Sequence, residues 1–205
     1  MYTDYKALLA DSDVEWVMIS VPNHLHHDIA IDAAKAKKNI IVEKPCALNV
    51  QEFDEMYQAA KDNGVLFTVD QNRRWDRDYC TVKKVLEQNS IGKVFMVKSS
   101  HYGVFGRMHD WHEYPECGGG MLYDWGVHLI DQMLDLIPGK ITQISADMKC
   151  AVNKSVDDYF RILLYFDNGL AAEIELGTFL LKKLPRWYVA GDTGTLVVEN
   201  IKADE

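Results

Sequence analysis

The apolar positions of this chain fall into two regimes. In the first third they come as short, near-continuous runs: Val14 to Val21, Ile40 to Val42 and Val65 to Val69. A run without polar alternation reads as a strand buried on both faces, as in a parallel sheet. Between the runs the spacing turns helical. His27 to Lys37 follows Pro22-Asn23 as a helix, and Val50 to Lys61 carries Phe53, Met56, Tyr57 and Ala60 on one face. Asn49 is placed to cap that second helix and Gly64 to stop it. Tyr2 to Leu9 reads as the tail of a further helix. Strand, helix, strand, helix, strand predicts a parallel, right-handed βαβ sheet.

Asp76 to Gln88 predicts a helix leading out of that sheet, and after Gly92 the pattern changes. Lys93 to Tyr102 is a strand, and Gly103 to Gly120 a loop holding Arg107, His109, Trp111 and His112. Met121 to Leu136 is a helix with Leu122, Trp125, Leu129, Ile130 and Met133 as its apolar stripe, closed by Pro138-Gly139. Strand-like runs follow at Ile141 to Cys150, Asp158 to Phe166, Leu170 to Gly177, Trp187 to Ala190 and Thr195 to Val198. Asp167-Asn168-Gly169 marks a hairpin. The class is therefore α/β: a partial parallel sheet over residues 1–72, then an α+β domain over 73–205 with a large, mostly antiparallel sheet. One long helix covers one face of such a sheet at best. Its strands are apolar on both parities, Phe160, Ile162 and Leu164 on one and Tyr159, Leu163 and Tyr165 on the other. A face open to water alternates instead, so the second face is expected against another copy, in a homodimer or homotetramer.

Two stretches carry candidate chemistry. Ile40-Ile41-Val42 ends in Glu43-Lys44-Pro45, and Pro45 cannot extend a ladder. Glu43 and Lys44 then sit at the carboxyl end of a strand, the edge where open α/β sheets bind ligands. A rim salt bridge and turn is the alternative reading of the same residues. Asp124 and His128 lie four apart on a helix, so they share a face. A carboxylate beside an imidazole fixes its tautomer and raises its basicity. Gly118-Gly119-Gly120 lets another group approach the start of that helix. On spacing alone, an amphipathic helix that merely carries an Asp and a His is the favoured account of the pair.

Charge and composition narrow the classes. Net charge is −9 over 205 residues, which argues against nucleic acid as a partner. The chain has no apolar run of membrane-span length and no signal-peptide pattern, so neither a membrane nor secretion is expected. Cys46, Cys80, Cys117 and Cys150 form no C-x-x-C pair and read as free thiols in a reducing, cytoplasmic setting. Asn153-Lys154-Ser155 matches a glycosylation sequon that this setting makes irrelevant. Seven histidines raise a metal-hydrolase reading, but none stands in a metal-ligand spacing, so no metal is expected.

Taken in order, Ser20-Val21-Pro22-Asn23 with His26, Glu43-Lys44-Pro45, Asn72-Arg73-Arg74-Trp75-Asp76, and Gly118-Gly119-Gly120 with Asp124-x-Gly126-x-His128 form a series. The series resembles the glucose–fructose oxidoreductase, inositol dehydrogenase and rhizopine-catabolism (Gfo/Idh/MocA) family of NAD(P)-dependent dehydrogenases, over nearly the whole chain. The resemblance implies a partial Rossmann domain, NAD or NADP as cofactor, and a sugar or polyol as substrate. By the same resemblance Lys44, Asp124 and His128 are catalytic and converge on a cleft between the domains. Ser20, Pro22, Asn23, His26, Glu43, Lys44 and Arg73 are cofactor-side. Lys44, Arg73, Trp111, His112, Asp124 and His128 are substrate-side. Family members commonly associate through the second-domain sheet, which agrees with the two-parity pattern above.

The chain departs from the family in one respect. A dinucleotide fold opens on a strand and G-x-G-x-x-G, and no such glycine run occurs. The expectation is a chain without the glycine-loop half and without the end of the second-domain sheet: a fragment, a truncated product, or a protein completed by association. Beside the dehydrogenase reading therefore stands a non-catalytic relative that oligomerises or binds a ligand.

Overall fold

The computed structural model describes residues 1–103 and 108–200, so Arg107 of the expected loop lies outside the described residues. The chain divides into two compact units. The first comprises Met1–Gln71 with Tyr114–Gly119, and the second Asn72–Glu113 with Gly120–Glu205.

The first unit is a three-stranded parallel sheet in the order β1 (Trp16–Ile19), β2 (Asn39–Glu43), β3 (Phe67–Asp70). Helices α1 (Tyr5–Ala10), α2 (His26–Lys35) and α3 (Val50–Asn63) join and precede them. The local signals act as read. The Asn49 side chain accepts from the Glu52 N–H, and Gly64 ends α3 in the left-handed region at φ +66. Three small residues of α2, Ala30, Ala33 and Ala34, are buried and let the helix approach the sheet closely. With Leu9, Val17, Ile19, Ile40, Val42 and Met56 they form one core. Burying a Val or Ile side chain there contributes about 1.5–3 kcal/mol.

The burial differs from expectation in one way. Val17 pairs in register with Ile40 and Ile19 with Val42, so the buried positions share one face. The opposite face keeps Trp16 46% and Met18 54% exposed, and Thr68 is exposed beside them. The helices of this unit bury against one side, so β1 alternates buried and exposed where a near-continuous apolar run promised burial on both.

The second unit is built on a six-stranded sheet ordered β5 (Ile141–Lys149), β6 (Tyr159–Phe166), β7 (Ala171–Gly177), β4 (Val94–Tyr102), β8 (Trp187–Gly191), β9 (Thr195–Val198). Only β4 and β7 pair in parallel. Gly169 closes the β6–β7 hairpin at φ +83, its N–H donating to the Phe166 carbonyl at 3.1 Å. The core face carries Phe160, Ile162, Leu164, Ile174, Leu176, Val97, Trp187 and Val189. Two helices reach this core, against the expectation of one: α5 (Val127–Leu136) through Leu129 and Met133, and α4 (Arg77–Glu87) through Tyr79 and Val82. Helix α4 therefore belongs to the sheet it precedes. The buried Asp78 explains why, because its carboxylate accepts from the Trp187 indole N–H at 2.9 Å.

The outer face of the same sheet has a charged centre. Lys98 reaches Glu173 at 3.0 Å and Glu175 at 3.4 Å. Arg161 pairs with Glu173 at 2.8 Å, and Tyr159 donates to Glu175 at 2.9 Å. Tyr165 and Tyr188 are exposed on that face. Among the described residues no helix is long and apolar enough to cross a membrane. All four cysteines are unpaired, and burial pushes the Cys46 thiol up to about 12. The sequon Asn153 is buried, its side chain donating to Asp158 and accepting from the Met108 N–H.

Candidate functional site

In the first unit the candidate residues gather at the carboxyl edge of the parallel sheet. Ile19 lies beside Val42 in register, so Ser20 and Glu43 follow on adjacent strands. Ser20 is exposed, and Pro22, Glu43 and Lys44 are half-buried. The Glu43 carboxylate accepts from the Lys44 backbone N–H at 3.2 Å, and the Lys44–Pro45 peptide is cis. His26 is fully buried beneath this edge. Its Nδ1 lies 2.9 Å from the Pro45 carbonyl and its Nε2 3.0 Å from the Val21 carbonyl. The ring thus ties the chain leaving β1 to the turn after β2.

Asn23 is buried as well, its Nδ2 donating to the Gly118 carbonyl at 2.8 Å. Gly118 holds φ +74, and a Cβ there would stand 2.3 Å from Leu48 Cδ2. The group that the first of these glycines admits is therefore the protein's own Leu48 and Asn23. The start of α2 follows directly on the end of β1 through a 3₁₀ turn at Asn23–Leu25, which points helix N–H groups toward the same edge. A helix start at the carboxyl edge of a parallel sheet is where dinucleotide folds hold anionic groups.

In the second unit the helix bearing Asp124 and His128 begins with a π-turn, Leu122–Gly126, before becoming α-helical at Val127. The relation of Asp124 to His128 thus crosses a change of helical pitch, a feature frequent at functional sites. Asp157 fixes the head of this helix. Its carboxylate accepts from the Leu122 N–H at 2.8 Å, and its carbonyl accepts from the Met121 N–H at 2.9 Å. Burial raises the Asp157 carboxyl above its ordinary range. Gly120, at φ +99, leaves the room: a Cβ there would lie 2.3 Å from Asp157 Oδ1. The Gly120 N–H also donates to the His112 carbonyl at 3.1 Å, which ties the 3₁₀ turn Asp110–Glu113 to the helix start. On that turn Trp111 and His112 stack at 3.7 Å.

Three further contacts surround the pair. The Arg73 guanidinium lies 4.0 Å from the centroid of Trp125, and the His101 ring stacks on the same indole at 3.9 Å. Both cannot occupy one face of the ring, so Trp125 is held between them. His128, buried, meets the edge of Trp125 at 6.1 Å. Burial, with the Arg186, Arg73 and Lys183 cations, brings His101 down to about 4, so it is a neutral imidazole at neutral pH. Trp125 reads from sequence as one position of an apolar stripe, and His101 as one histidine of seven. Asp157 carries no signal at all, because what it caps lies 35 positions earlier. Among the described residues no group of three or more His, Cys, Asp or Glu is placed to hold a metal ion.

The chain thus joins a parallel sheet with ionisable residues at its carboxyl edge to a mixed sheet, with a helix bearing Asp124 and His128 between β4 and β5 along the chain. Residues 1–71 match the oxidoreductase family with an NAD-binding Rossmann fold, and residues 79–197 match the GFO/IDH/MocA C-terminal domain. The chain belongs to the GFO/IDH/MocA family. It is 35% identical to an oxidoreductase of Schizosaccharomyces pombe, over 81% of this chain and 46% of that one. It is 30% identical to the NADP-dependent scyllo-inositol 2-dehydrogenase of Bacillus subtilis, over 95% of this chain and 54% of that one. The crystal structure of an NAD-binding protein from Listeria innocua superposes with a TM-score of 0.95 at 40% identity, covering 98% of this chain and 57% of that one. The chain spans about half the length of the curated relatives it matches.

Proposed function

We propose that this chain carries the reacting residues of an NAD(P)-dependent dehydrogenase that oxidises a secondary alcohol of a sugar or cyclitol. The observation that carries the reading is the setting of His128. It is a buried histidine one turn after Asp124, beside the Arg73–Trp125–His101 stack, on a helix whose head Asp157 fixes. The names of the inositol dehydrogenases among its relatives support the substrate class.

When bound, the nicotinamide supplies the hydride acceptor. His128 takes the proton of the substrate hydroxyl as the carbon gives up hydride, a role worth roughly 10²–10⁴ in rate. Asp124 orients that imidazole and stabilises its protonated form. The Lys44 ammonium stabilises the alkoxide charge that develops on the substrate oxygen. Ser20, Pro22, Asn23, His26, Glu43 and Arg73 serve the cofactor side, Asn23 and His26 by shaping the edge. Trp111, His112 and Arg73 serve the substrate side, where flat stacked rings suit the apolar face of a polyol ring.

The experiment is a panel of inositols and sugars offered to the purified chain with NAD⁺ or NADP⁺, followed by the absorbance of reduced nicotinamide, alongside calorimetric titration of each dinucleotide. Reduction with one or more polyols is expected. Binding without turnover assigns the chain to the other reading, a non-catalytic ligand-binding or oligomerising relative, and absence of both removes the dehydrogenase reading. A second copy covers the outer face of the six-stranded sheet in this proposal, supported by the exposed Tyr165 and Tyr188 around its charged centre. Sedimentation then gives a mass above that of one 23.4 kDa chain, and a stable species at that mass contradicts it.

A further inference from the structure

Gln132 is fully buried on α5, beside Leu129 and Met133, which are equally buried and apolar. An amide in such a place loses its hydration and is tolerated only when both ends are bonded. Here both are. Its Nε2 donates to the Arg73 carbonyl at 2.7 Å, and its Oε1 accepts from Arg186 Nη2 at 2.7 Å. Arg186 is itself 3% exposed, with Nε 3.2 Å from Asp78 Oδ2 and Nη1 bonded to the Ser99 hydroxyl. Burial brings this guanidinium down to about 10 against the pull of Asp78. The chain of contacts therefore runs from α4 through Arg186, the residue before β8, and α5 to the 3₁₀ turn Asn72–Trp75, where it ends on the backbone of Arg73.

A buried ionic network of this kind is a poor source of stability, because a well-packed apolar set of the same volume does as well or better. Gln132 lies one helical turn beyond His128, so the helix that presents the imidazole also grips the turn that presents Arg73. Arg73 in turn lies on Trp125, whose edge meets His128. We propose that Gln132, held by Arg186, is a positioning residue that fixes the Arg73–Trp125 stack against His128. As a statement about function it rests on the dehydrogenase reading of Arg73 and His128; as a statement about geometry it stands alone.

The test uses nuclear magnetic resonance on the isotopically labelled chain. In the wild type the Gln132 side-chain amide is expected to be protected from solvent exchange and to show Overhauser contacts to the Arg73–Arg74 backbone. Gln132→Glu keeps an acceptor for Arg186 and removes the donor to the Arg73 carbonyl. It should fold with a lowered unfolding midpoint, because the Arg73 carbonyl loses its donor, lose the Arg73–Trp125 contacts and shift the Trp125 indole N–H signal. A lowered midpoint with an unmoved Trp125 signal makes Gln132 a purely structural residue and overturns the proposal. So does a wild-type Gln132 amide that exchanges at the solvent rate, a result that decides the matter even where the variant fails to fold. Neither readout involves a dinucleotide or turnover, so failure of the dehydrogenase reading is seen separately, as absent binding or absent reduction of cofactor.

Discussion

In the three-stranded unit Ser20, Pro22, Glu43 and Lys44 stand within a few residues of the strands that place them, on β1 and β2 ends that lie side by side. In the six-stranded unit the corresponding residues are drawn together from far apart. Arg73 comes from a turn, His101 from β4 and Trp125 from a π-turn, while Gln132 grips an Arg73 carbonyl 59 positions away. The first arrangement is set by strand ends and prolines, which local rules determine. The second is set by close packing over a distance, which local rules do not address. Sequence changes should accordingly act locally in one unit and propagate to the reacting residues in the other.

The largest effect belongs to the reacting groups themselves. His128→Ala and Lys44→Ala should each lower kcat by roughly 10²–10⁴ with little change in dinucleotide affinity, since both act on charge that develops in the transition state. Steady-state kinetics beside calorimetry checks this, and near-normal turnover in either variant removes that residue from the mechanism.

A pair of glycines separates local from long-range constraint. Gly64 has φ +66 and nothing within 4 Å of where a Cβ would stand. Gly64→Ala should cost only the left-handed penalty, about 1–2 kcal/mol. Gly120 combines φ +99 with a Cβ position 2.3 Å from Asp157 Oδ1. Gly120→Ala should cost about 2–6 kcal/mol, strain plus displacement of the carboxylate that caps the His128 helix. Denaturant unfolding of both variants gives the comparison, and equal losses would show that Asp157 yields its place cheaply.

The same division marks what could be read beforehand. The strands and α-helices are legible in the apolar periodicity, because burial of one face imposes a period of 2 or 3.6 whatever lies opposite, whereas the 3₁₀ turns and the π-turn at Leu122–Gly126 are not. Asn49 and Gly64 fix the ends of α3 through bonds to near neighbours. The packing of α4 is not legible, since it depends on Asp78 meeting Trp187 across 109 positions. Trp125, Asp157 and Gln132 are equally silent: each is an ordinary residue type whose role is conferred by a distant partner. The exposed Trp16 and Met18 mark the opposite failure, an apolar run that promises two buried faces where helices cover one.

The smallest effect concerns pH and stays within the first unit. His27 on α2 has Nδ1 2.8 Å from Asp28 and Nε2 2.8 Å from Glu55 of α3. Partial burial disfavours its cation, but the two carboxylates together outweigh that and raise it above its ordinary value. A raised folded value means protons bind the native state more tightly than the unfolded one. The contribution is therefore complete below the unfolded value, near 6.5, and fades as pH rises through the folded one. Its size is about 0.2–1 kcal/mol, since the carboxylates are solvent-exposed. Unfolding midpoints of the wild type and His27→Gln should differ on the acid side and converge above neutrality, and a constant difference would exclude the ion pairs as its source.

Hydride transfer from a polyol carbon to nicotinamide, as proposed for this chain, is followed with scyllo-inositol deuterated at its carbinol carbons. The chain is incubated with NAD⁺ or NADP⁺ and the reduced cofactor is examined by mass spectrometry. One deuterium is expected in the nicotinamide ring, with label transfer suppressed in His128→Ala. Reduced cofactor without label, or label transfer undiminished by that substitution, would contradict the proposal.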